Sequence, residues 1–472
     1  GIDNINMSPE SKKDRTMEAL KRIPLKGAER RPLILAFEDL HWSDKSSEEY
    51  LQSLLDSITG ARVFLIFTYR PEFIHTWGGK SYHSQVNLNR LSNRESLLVV
   101  YHLLGTENID RQLEELILAK SEGVPLFIEE FVKSLKDLKI IEIKDGKYQH
   151  IKDIQKVSIP STIQDVIMAR VDNLPEAAKD LLQTGSVIER EFNYQLLNRV
   201  TDLPNNELLT ALSILKDSEL IFERGIFPES TYIFKHALTR EVVYKSILSK
   251  RKKRLHNDIG SSIEELYKNN IDEYFGILTA HYLASENYVK AAEFSRQAGR
   301  KSVKAVSFEN AIFYGEKWVA CLEKLPQSEE IEKNIIDART TLGFYNLQLQ
   351  HWDKAKKVID PIVDLALKHN YKRRLTQIYT LIGIQSHYPG EDYAKSVEYL
   401  KKAIETAEET NNFASLIFAN HFIGHVFADN CEYEKGLYHI KKALEIVEMG
   451  NLLWSVAMHK ACIAFNIYCN QG

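Results

Sequence analysis

The pattern of hydrophobic positions near the start of the chain predicts a strand, a helix and a second strand. Leu33 to Phe37 and Val63 to Phe67 are uninterrupted apolar runs, which are typical of parallel strands buried on both faces. Between them, apolar residues recur at helical spacing from Tyr50 to Ile58, after a capping box formed by Ser46 and Glu49. Strand, helix and strand in this order predict the βαβ unit of a parallel sheet.

Charged side chains follow both predicted strands. Glu38 and Asp39 stand directly after the first strand, and Arg70 follows the second. Open α/β sheets bind ligands at the carboxyl ends of their strands, and a hydrophobic strand that ends in an acidic pair is typical of the Walker B segment of P-loop NTPases. In that arrangement Glu38 would hold Mg²⁺ and Asp39 would polarise the water that attacks ATP. In many other proteins such a carboxylate only caps the following turn.

The longer string Glu38-Asp39-Leu40-His41-Trp42-Ser43-Asp44 is more specific. It resembles the Walker B segment of AAA-like, STAND-type ATPases, which occur beside class III adenylate or guanylate cyclase domains and in large LuxR-type regulators. The resemblance implies that Arg70 is a catalytic sensor that reaches the γ-phosphate of ATP. A guanidinium suits this role because it binds phosphate oxygens bidentately and keeps its charge. Pairing of Arg70 with a carboxylate is the alternative, and Asp44 is interpreted as the start of the next helix.

A phosphate-binding loop of the form G-x-x-x-x-G-K-[ST] is not found in the sequence. Gly78-Gly79-Lys80-Ser81 ends like one, but Ile74 occupies the position of the first glycine and the segment follows the second strand. We interpret it as a surface loop and expect the phosphate loop upstream of Gly1. The chain begins without Met and ends within an incomplete helical repeat, so we expect a fragment of a longer ATPase that is inactive alone.

The remainder of the chain fits the domain order that the resemblance implies. The expected domains are a partial α/β P-loop NTPase sheet at 1–105, a helical lid at 106–157, a winged helix at 158–250 and an all-α tetratricopeptide-like solenoid at 251–472. Within the lid, Gly123-Val124-Pro125-Leu126 resembles the element that opens the lid helix of STAND ATPases. There Pro125 would pack near the adenine of bound nucleotide. A short hairpin is predicted between Ile140 and Lys156.

The winged helix is predicted from helices followed by two short strands. Ser161 and Gln164 form a capping box for its first helix, and a later helix is expected from Phe192 to Val200. Alternating residues predict wing strands at Leu220 to Glu223 and at Thr231 to Phe234.

Two strings in this domain, Ile159 to Pro175 and Phe234 to Tyr244, resemble the cyclase-associated members of the same family. The resemblance implies that His236 senses the β-phosphate of bound ADP, although histidines at helix starts are more often structural. The candidate recognition helix, from Glu207 to Glu219, carries Lys216 among three acidic residues. This charge is wrong for phosphate contacts, so DNA binding through this segment is not expected.

The last part of the chain is repetitive. Gly343, Gly383 and Gly424 recur at intervals of 40 and 41 residues, and small residues occupy matched positions at Ala355, Ser396 and Gly436. This spacing predicts tetratricopeptide-like helix pairs that stack and offer a concave face to a protein or peptide ligand. His421 and His425, at helical spacing, match a zinc pair in principle, but no third ligand is evident from the sequence.

Composition narrows the class of protein. The chain has 472 residues, of which 44% are hydrophobic and 27% charged, and its net charge is −4. These values indicate several ordinary domains, without a general attraction to nucleic acid or to anionic lipid. No signal peptide or long apolar run is present, so we expect a cytoplasmic protein without a membrane partner. The four cysteines show no metal-type spacing and are interpreted as reduced thiols packed in helices.

Taken together, the sequence predicts a regulatory ATPase segment of the STAND type. ATP or ADP with Mg²⁺ would set the state of a switch that couples a repeat sensor to an effector domain in the same parent chain, with a nucleotide cyclase as first choice. A part of a LuxR-type transcription regulator is one alternative. A non-catalytic scaffold that binds proteins through its repeats is the other.

Overall fold

The structure is a computed structural model, which describes residues 9–74, 82–137, 140–144, 147–150, 162–201, 203–226, 228–388, 392–450 and 453–469. The chain forms two compact units, one of Gly1–Trp77 with Asp272–Gly472 and the other of Gly78–Ile271. Both are mostly helical, with few strands. The loop at residues 78–81 and the predicted cap at Ser161 lie outside the described residues. The domain boundaries after residues 105, 157 and 250 remain predictions.

The first part of the chain forms the predicted strand, helix and strand. Its elements are α1 (Pro9–Arg30), β1 (Leu33–Phe37), α2 (Lys45–Ser57) and β2 (Val63–Phe67). The two strands are parallel and in register, with Leu33 opposite Val63 and Phe37 opposite Phe67. The described residues therefore contain one parallel strand pair, and a larger P-loop sheet remains a prediction.

Burial of the two strands on both faces was expected, and this expectation is wrong. Exposure alternates along β1 and β2, so that Phe37 packs on the apolar face of α2 around Leu54, whereas Ile34 and Phe64 are 67% and 63% exposed. An apolar run becomes a doubly buried strand only when layers cover both faces of its sheet. Among the described residues of this unit, only the face toward α2 is covered.

The start of α2 also differs from the prediction. Asp44, rather than a capping box at Ser46 and Glu49, caps the helix, because its carboxylate accepts a hydrogen bond from the Ser47 N–H at 2.7 Å. The helix therefore begins at Lys45, and Ser46 lies inside its first turn. The interpretation of Asp44 as the helix start is confirmed.

The second unit contains nine described helices and five described strands. They are α3 (Asn93–Leu104), α4 (Arg111–Ser121), α5 (Pro125–Asp137), β3 (Ile141–Lys144), β4 (Lys147–His150), α6 (Ile163–Asp172), α7 (Glu176–Ile188), β5 (Glu191–Asn193), α8 (Tyr194–Val200), α9 (Asn205–Asp217), β6 (Ile221–Arg224), β7 (Thr231–Phe234), α10 (Ala237–Ser246) and α11 (Ser249–Leu266). The predicted hairpin is present as the antiparallel pair of β3 and β4.

The predicted wing strands are present as β6 and β7, and the sequence missed a third. These strands pair in the antiparallel order β5-β7-β6. Phe192 was expected to begin a helix, but it lies in β5, and α8 begins at Tyr194 behind a cap formed by Asn193. Three residues are too few to show an alternating pattern, which explains the error. Whether these elements form a winged helix remains a prediction.

The remaining chain forms a series of helix pairs, as predicted. Its helices are α12 (Phe275–Ala284), α13 (Tyr288–Lys304), α14 (Phe308–Glu323), α15 (Glu329–Gln348), α16 (Trp352–Ile359), α17 (Val363–Lys368), α18 (Lys372–His387), α19 (Tyr393–Glu409), α20 (Phe413–Asp429), α21 (Tyr433–Met449) and α22 (Leu453–Cys462). A π-helical turn, Ile463–Tyr468, follows α22. The matched small residues lie where paired helices touch: the Ser396 hydroxyl on α19 donates to the Gly383 carbonyl on α18 at 2.7 Å.

Candidate functional site

Glu38, Asp39 and Arg70 follow the ends of the two parallel strands, at the same edge of the strand pair. Phe37 and Phe67 are the last paired residues of β1 and β2, so the chain leaves both strands at the same edge. Neighbouring strands are about 4.8 Å apart, which brings the two carboxylates and the guanidinium to adjacent strand ends. The sequence predicted the position of these residues after the strand ends, and their role as a nucleotide site remains a prediction.

Three hydrogen bonds fix the chain at this edge. The Thr68 N–H donates to the Phe37 carbonyl at 3.0 Å, the Asp39 N–H donates to the Thr68 hydroxyl at 3.0 Å, and the Leu40 N–H donates to the Thr68 carbonyl at 2.9 Å. Asp39 is held in the left-handed conformation, with φ of 57° and ψ of 43°. Aspartate tolerates this conformation better than most residues, and such local strain is concentrated at functional sites. Thr68 is a positioning residue that the sequence analysis missed.

The charges at this edge suit a metal-bound phosphate. Glu38 and Arg70 are both exposed, and neither side chain forms an ion pair with another described residue. One carboxylate to hold Mg²⁺ and one guanidinium to bind phosphate oxygens are therefore available to a ligand. Both ring nitrogens of His41 in the same segment are buried and lack a hydrogen-bond partner within the described parts of the chain. A bound water, ion or ligand beside this motif would satisfy these two nitrogens.

The predicted lid element is held by a close backbone approach in the second unit. Gly123 has a φ of 73°, and an added Cβ would lie 2.2 Å from the Leu91 carbonyl oxygen. The Leu91 N–H donates to the Gly123 carbonyl at 2.8 Å. Only glycine fits this contact. Pro125 then begins α5, as predicted, and is exposed.

His236 immediately precedes α10, as predicted, and lies beside α5. Its Nε2 lies 3.8 Å from a carboxylate oxygen of Glu129 on α5. Burial lowers the pKa of His236, so the imidazole is neutral near pH 7. Nε2 is buried and has no hydrogen-bond partner among the described side chains and backbone. Pro125 and His236 thus belong to the second unit, while Glu38, Asp39 and Arg70 belong to the first.

Glu129 is the centre of an ion-pair network. Its carboxylate accepts from Lys133 at 2.9 Å and from Lys235 at 2.7 Å, and both lysines also pair with Glu219. Burial raises the pKa of Glu129, but the two lysines outweigh burial and hold that pKa at about 2. The network joins α5 to Lys235, directly before His236.

A second, buried pair lies beside this network. Arg170 on α6 donates to Glu130 on α5 at 2.5 Å, and the side chains are 4% and 1% exposed. Ligand atoms of Glu129, Glu130 and His236 lie within 4.8 Å of one another, as they would around a metal ion. Cationic side chains already pair with both carboxylates, so we interpret this cluster as a structural ion-pair network. Arg170 and Lys235 were not identified from the sequence, because their partners lie far along the chain.

Among the described residues, no helix combines the length and the apolar character needed to cross a membrane.

The sequence matches one family of unknown function and one uncharacterized protein. A family described as a domain of unknown function (DUF8739) matches residues 92–149. An uncharacterized protein of Rhizobium meliloti (strain 1021), R02095, is 22% identical over 345 residues, which cover 72% of this chain and 33% of the relative. The chain therefore spans about a third of the length of that curated relative.

Among solved structures, the chain is similar to a Signal Transduction ATPase with Numerous Domains (STAND) protein with a tetratricopeptide repeat sensor from Pyrococcus horikoshii. The TM-score is 0.38 and the identity 15%, over 94% of this chain and 66% of that chain.

Proposed function

We propose that this chain is the regulatory part of a nucleotide-dependent signalling switch of the STAND type. The observation that carries the proposal is the position of Glu38, Asp39 and Arg70 after the carboxyl ends of two parallel strands. The position is the one at which open α/β sheets bind ligands, and the residue types are those that bind Mg²⁺ and phosphate. ATP and ADP with Mg²⁺ are the proposed ligands.

In this proposal each site residue has a distinct role. Glu38 holds Mg²⁺, Asp39 orients the attacking water, and Arg70 binds the γ-phosphate. Pro125 lies near the adenine and His236 near the β-phosphate of ADP, as the resemblance implies. The neutral, unpaired Nε2 of His236 supports this last role, because it leaves a polar atom available to a ligand.

The output of the switch lies outside this chain. The resemblance of residues 159–175 and 234–244 to cyclase-associated proteins makes a nucleotide cyclase in the same parent chain the first choice of effector. A LuxR-type transcription regulator is the second choice. Exchange of ADP for ATP would change the state of the switch and alter the effector.

A second candidate function is protein binding through the helical repeats. An aromatic groove of about 420 Å³ is lined by Phe308, Phe344, Tyr345 and Phe418, with Gln377 and Thr380 as polar groups. Phe418 is 50% exposed. Exposed aromatic side chains next to hydrogen-bonding groups are typical of peptide-binding surfaces. In the switch, this surface would be the sensor; in a scaffold, it would be the whole function.

Nucleotide titration separates the two functions. Fluorescent ADP and ATP, with Mg²⁺, are titrated into this chain and into a version extended upstream of Gly1. We expect tight binding in the extended version, weakened at least about tenfold by Arg70→Ala because phosphate contacts are charge-assisted. Arg111→Ala, which removes an exposed arginine on α4, is the control and should leave affinity unchanged. Absence of binding in both versions would contradict the switch and leave the scaffold.

A further inference from the structure

A histidine and cysteine cluster joins α20 to the end of α22. His421 and His425 lie one helical turn apart on α20, and Cys462 is the last residue of α22. One ligand atom from each residue lies within 4.8 Å of the other two. The structure thus supplies the third donor that the sequence did not reveal, because Cys462 is 37 positions beyond His425.

The imidazoles of this cluster have nitrogen atoms without partners. Nδ1 of His421, Nε2 of His425 and Nε2 of His459 are all buried, and none has a hydrogen-bond partner within the described ranges. The ring centroid of His421 lies 4.5 Å from the ring centroid of His425 and 5.0 Å from that of His459. Native proteins rarely leave several buried polar atoms unpaired at one place, so the arrangement indicates a missing binding partner.

The surroundings of the cluster resemble the outer shell of a metal site. Nδ1 of His459 lies 2.7 Å from the Ser455 carbonyl, and a proton donated along this bond leaves the lone pair on Nε2. Nδ1 of His425 lies 2.9 Å from the side-chain amide nitrogen of Asn466. If this amide group rotates by half a turn, its oxygen faces Nδ1 and can accept the ring proton. Such contacts orient metal-binding histidines in known proteins.

We propose that His421, His425 and Cys462 bind a transition-metal ion of the zinc class. Imidazole and thiolate are the ligands that Zn²⁺ prefers. Ligand atoms around one tetrahedral zinc ion lie about 3.3 to 3.8 Å apart, given zinc–ligand distances of about 2.0 to 2.3 Å. Rotation of these side chains would shorten the present separations, which are all within 4.8 Å, to that spacing. His459 is a further donor beside the cluster.

Metal binding must release the proton of the Cys462 thiol to solvent as the metal–sulfur bond forms. The bound ion would connect α20 to α22 and make the end of the repeat array metal-dependent.

Cobalt binding tests the site in the full chain. Co²⁺ is titrated into metal-free, untagged protein, and the sulfur-to-cobalt charge-transfer band is recorded together with displacement by Zn²⁺. We expect one ion per chain and a band that Cys462→Ser abolishes, with Zn²⁺ affinity at least about tenfold lower. Cys469→Ser, seven residues further along and exposed, is the matched control and should keep the band.

Two further measurements keep the test decisive. Bound Zn²⁺ should slow alkylation of Cys462 but not of Cys469 in the same chain. If Cys462→Ser does not fold, as judged by circular dichroism, His425→Gln replaces it and should weaken Zn²⁺ binding at least about tenfold. The proposal is overturned if the wild-type chain gives no charge-transfer band, if the band survives in Cys462→Ser, or if His425→Gln binds Zn²⁺ as tightly as the wild type.

Discussion

Arg170 and Glu130 form a buried ion pair that connects two helices of the second unit. The Arg170 guanidinium donates to Glu130 at 2.5 Å, to the Ser218 carbonyl at 2.6 Å and to Asp137 at 3.2 Å. A buried charge is stable only when it is paired and its hydrogen bonds are satisfied. The guanidinium therefore fixes α6 against α5 and against the chain after α9, next to the network around Glu129.

Removing one partner of this pair should be costly. Arg170→Met is expected to lower the free energy of unfolding by about 3 to 5 kcal/mol, because Glu130 would remain buried without a counter-charge. Urea unfolding of the chain measures this loss. Arg199→Met is the control, since Arg199 pairs with Glu265 at an exposed position, and it should cost about 0 to 1 kcal/mol. Equal losses in the two variants would show that the buried pair does not stabilise the unit.

The Glu129 network should make stability depend on pH. The pKa of Glu129 in the folded chain is about 2, below the ordinary value of 4.5, because the two lysines outweigh the effect of burial. The unfolded chain therefore binds a proton that the folded chain does not, so this stabilisation is complete above about pH 4.5 and is lost as pH falls toward about 2.

Unfolding experiments at about pH 7 and about pH 3.5 test this dependence. Glu129→Gln should lose less stability than the wild type between the two pH values, because the variant cannot take up the proton. Glu142→Gln, at an exposed position of β3, is the matched control and should follow the wild type. A Glu129→Gln profile parallel to that of the wild type would exclude Glu129 as the titrating group.

Because α18 and α19 approach closely at Gly383, adding one methyl group at this position should lower the stability of the chain. A Cβ at Gly383 would lie 2.5 Å from Cγ of Leu400, which is fully buried. Gly383→Ala should therefore destabilise the chain by about 1 to 3 kcal/mol in thermal unfolding. At Gly299 on α13 the nearest atom to an added Cβ is 3.6 Å away, so Gly299→Ala should be neutral or stabilising. The opposite order of stabilities would contradict this account of the repeat spacing.

Local features of this fold could be predicted from the sequence, because they depend on neighbours along the chain. Three such features are the apolar runs that form β1 and β2, the turn at Gly123 before Pro125, and the helix start at His236. The alternation of exposure in β1 was not predictable, since it depends on which layers cover the sheet. The three-residue β5 was missed because it is too short to carry a period.

The candidate sites show the same division. Glu38, Asp39 and Arg70 were identified because the end of each apolar run marks the end of a strand in the sequence. Arg170 pairs with Glu130 40 positions away, and Lys235 pairs with Glu129 106 positions away, so no local pattern connects either pair. Cys462 was judged by its spacing to other cysteines, whereas its neighbours in the fold are histidines.

The role of Glu38 can be tested separately from nucleotide binding. In the version extended upstream of Gly1, Glu38→Gln should lower Mg²⁺-dependent ATP hydrolysis at least about tenfold while leaving ADP affinity nearly unchanged, because the amide keeps the shape of the side chain but not the charge that holds Mg²⁺. Asp56→Asn, which removes a carboxylate from the last turn of α2, should leave both quantities unaltered. Phosphate release and fluorescent ADP binding are measured on the same samples. If Glu38→Gln hydrolyses ATP as fast as the wild type, Glu38 is not the metal ligand, and the exposed carboxylate at the end of β1 serves only to end the strand.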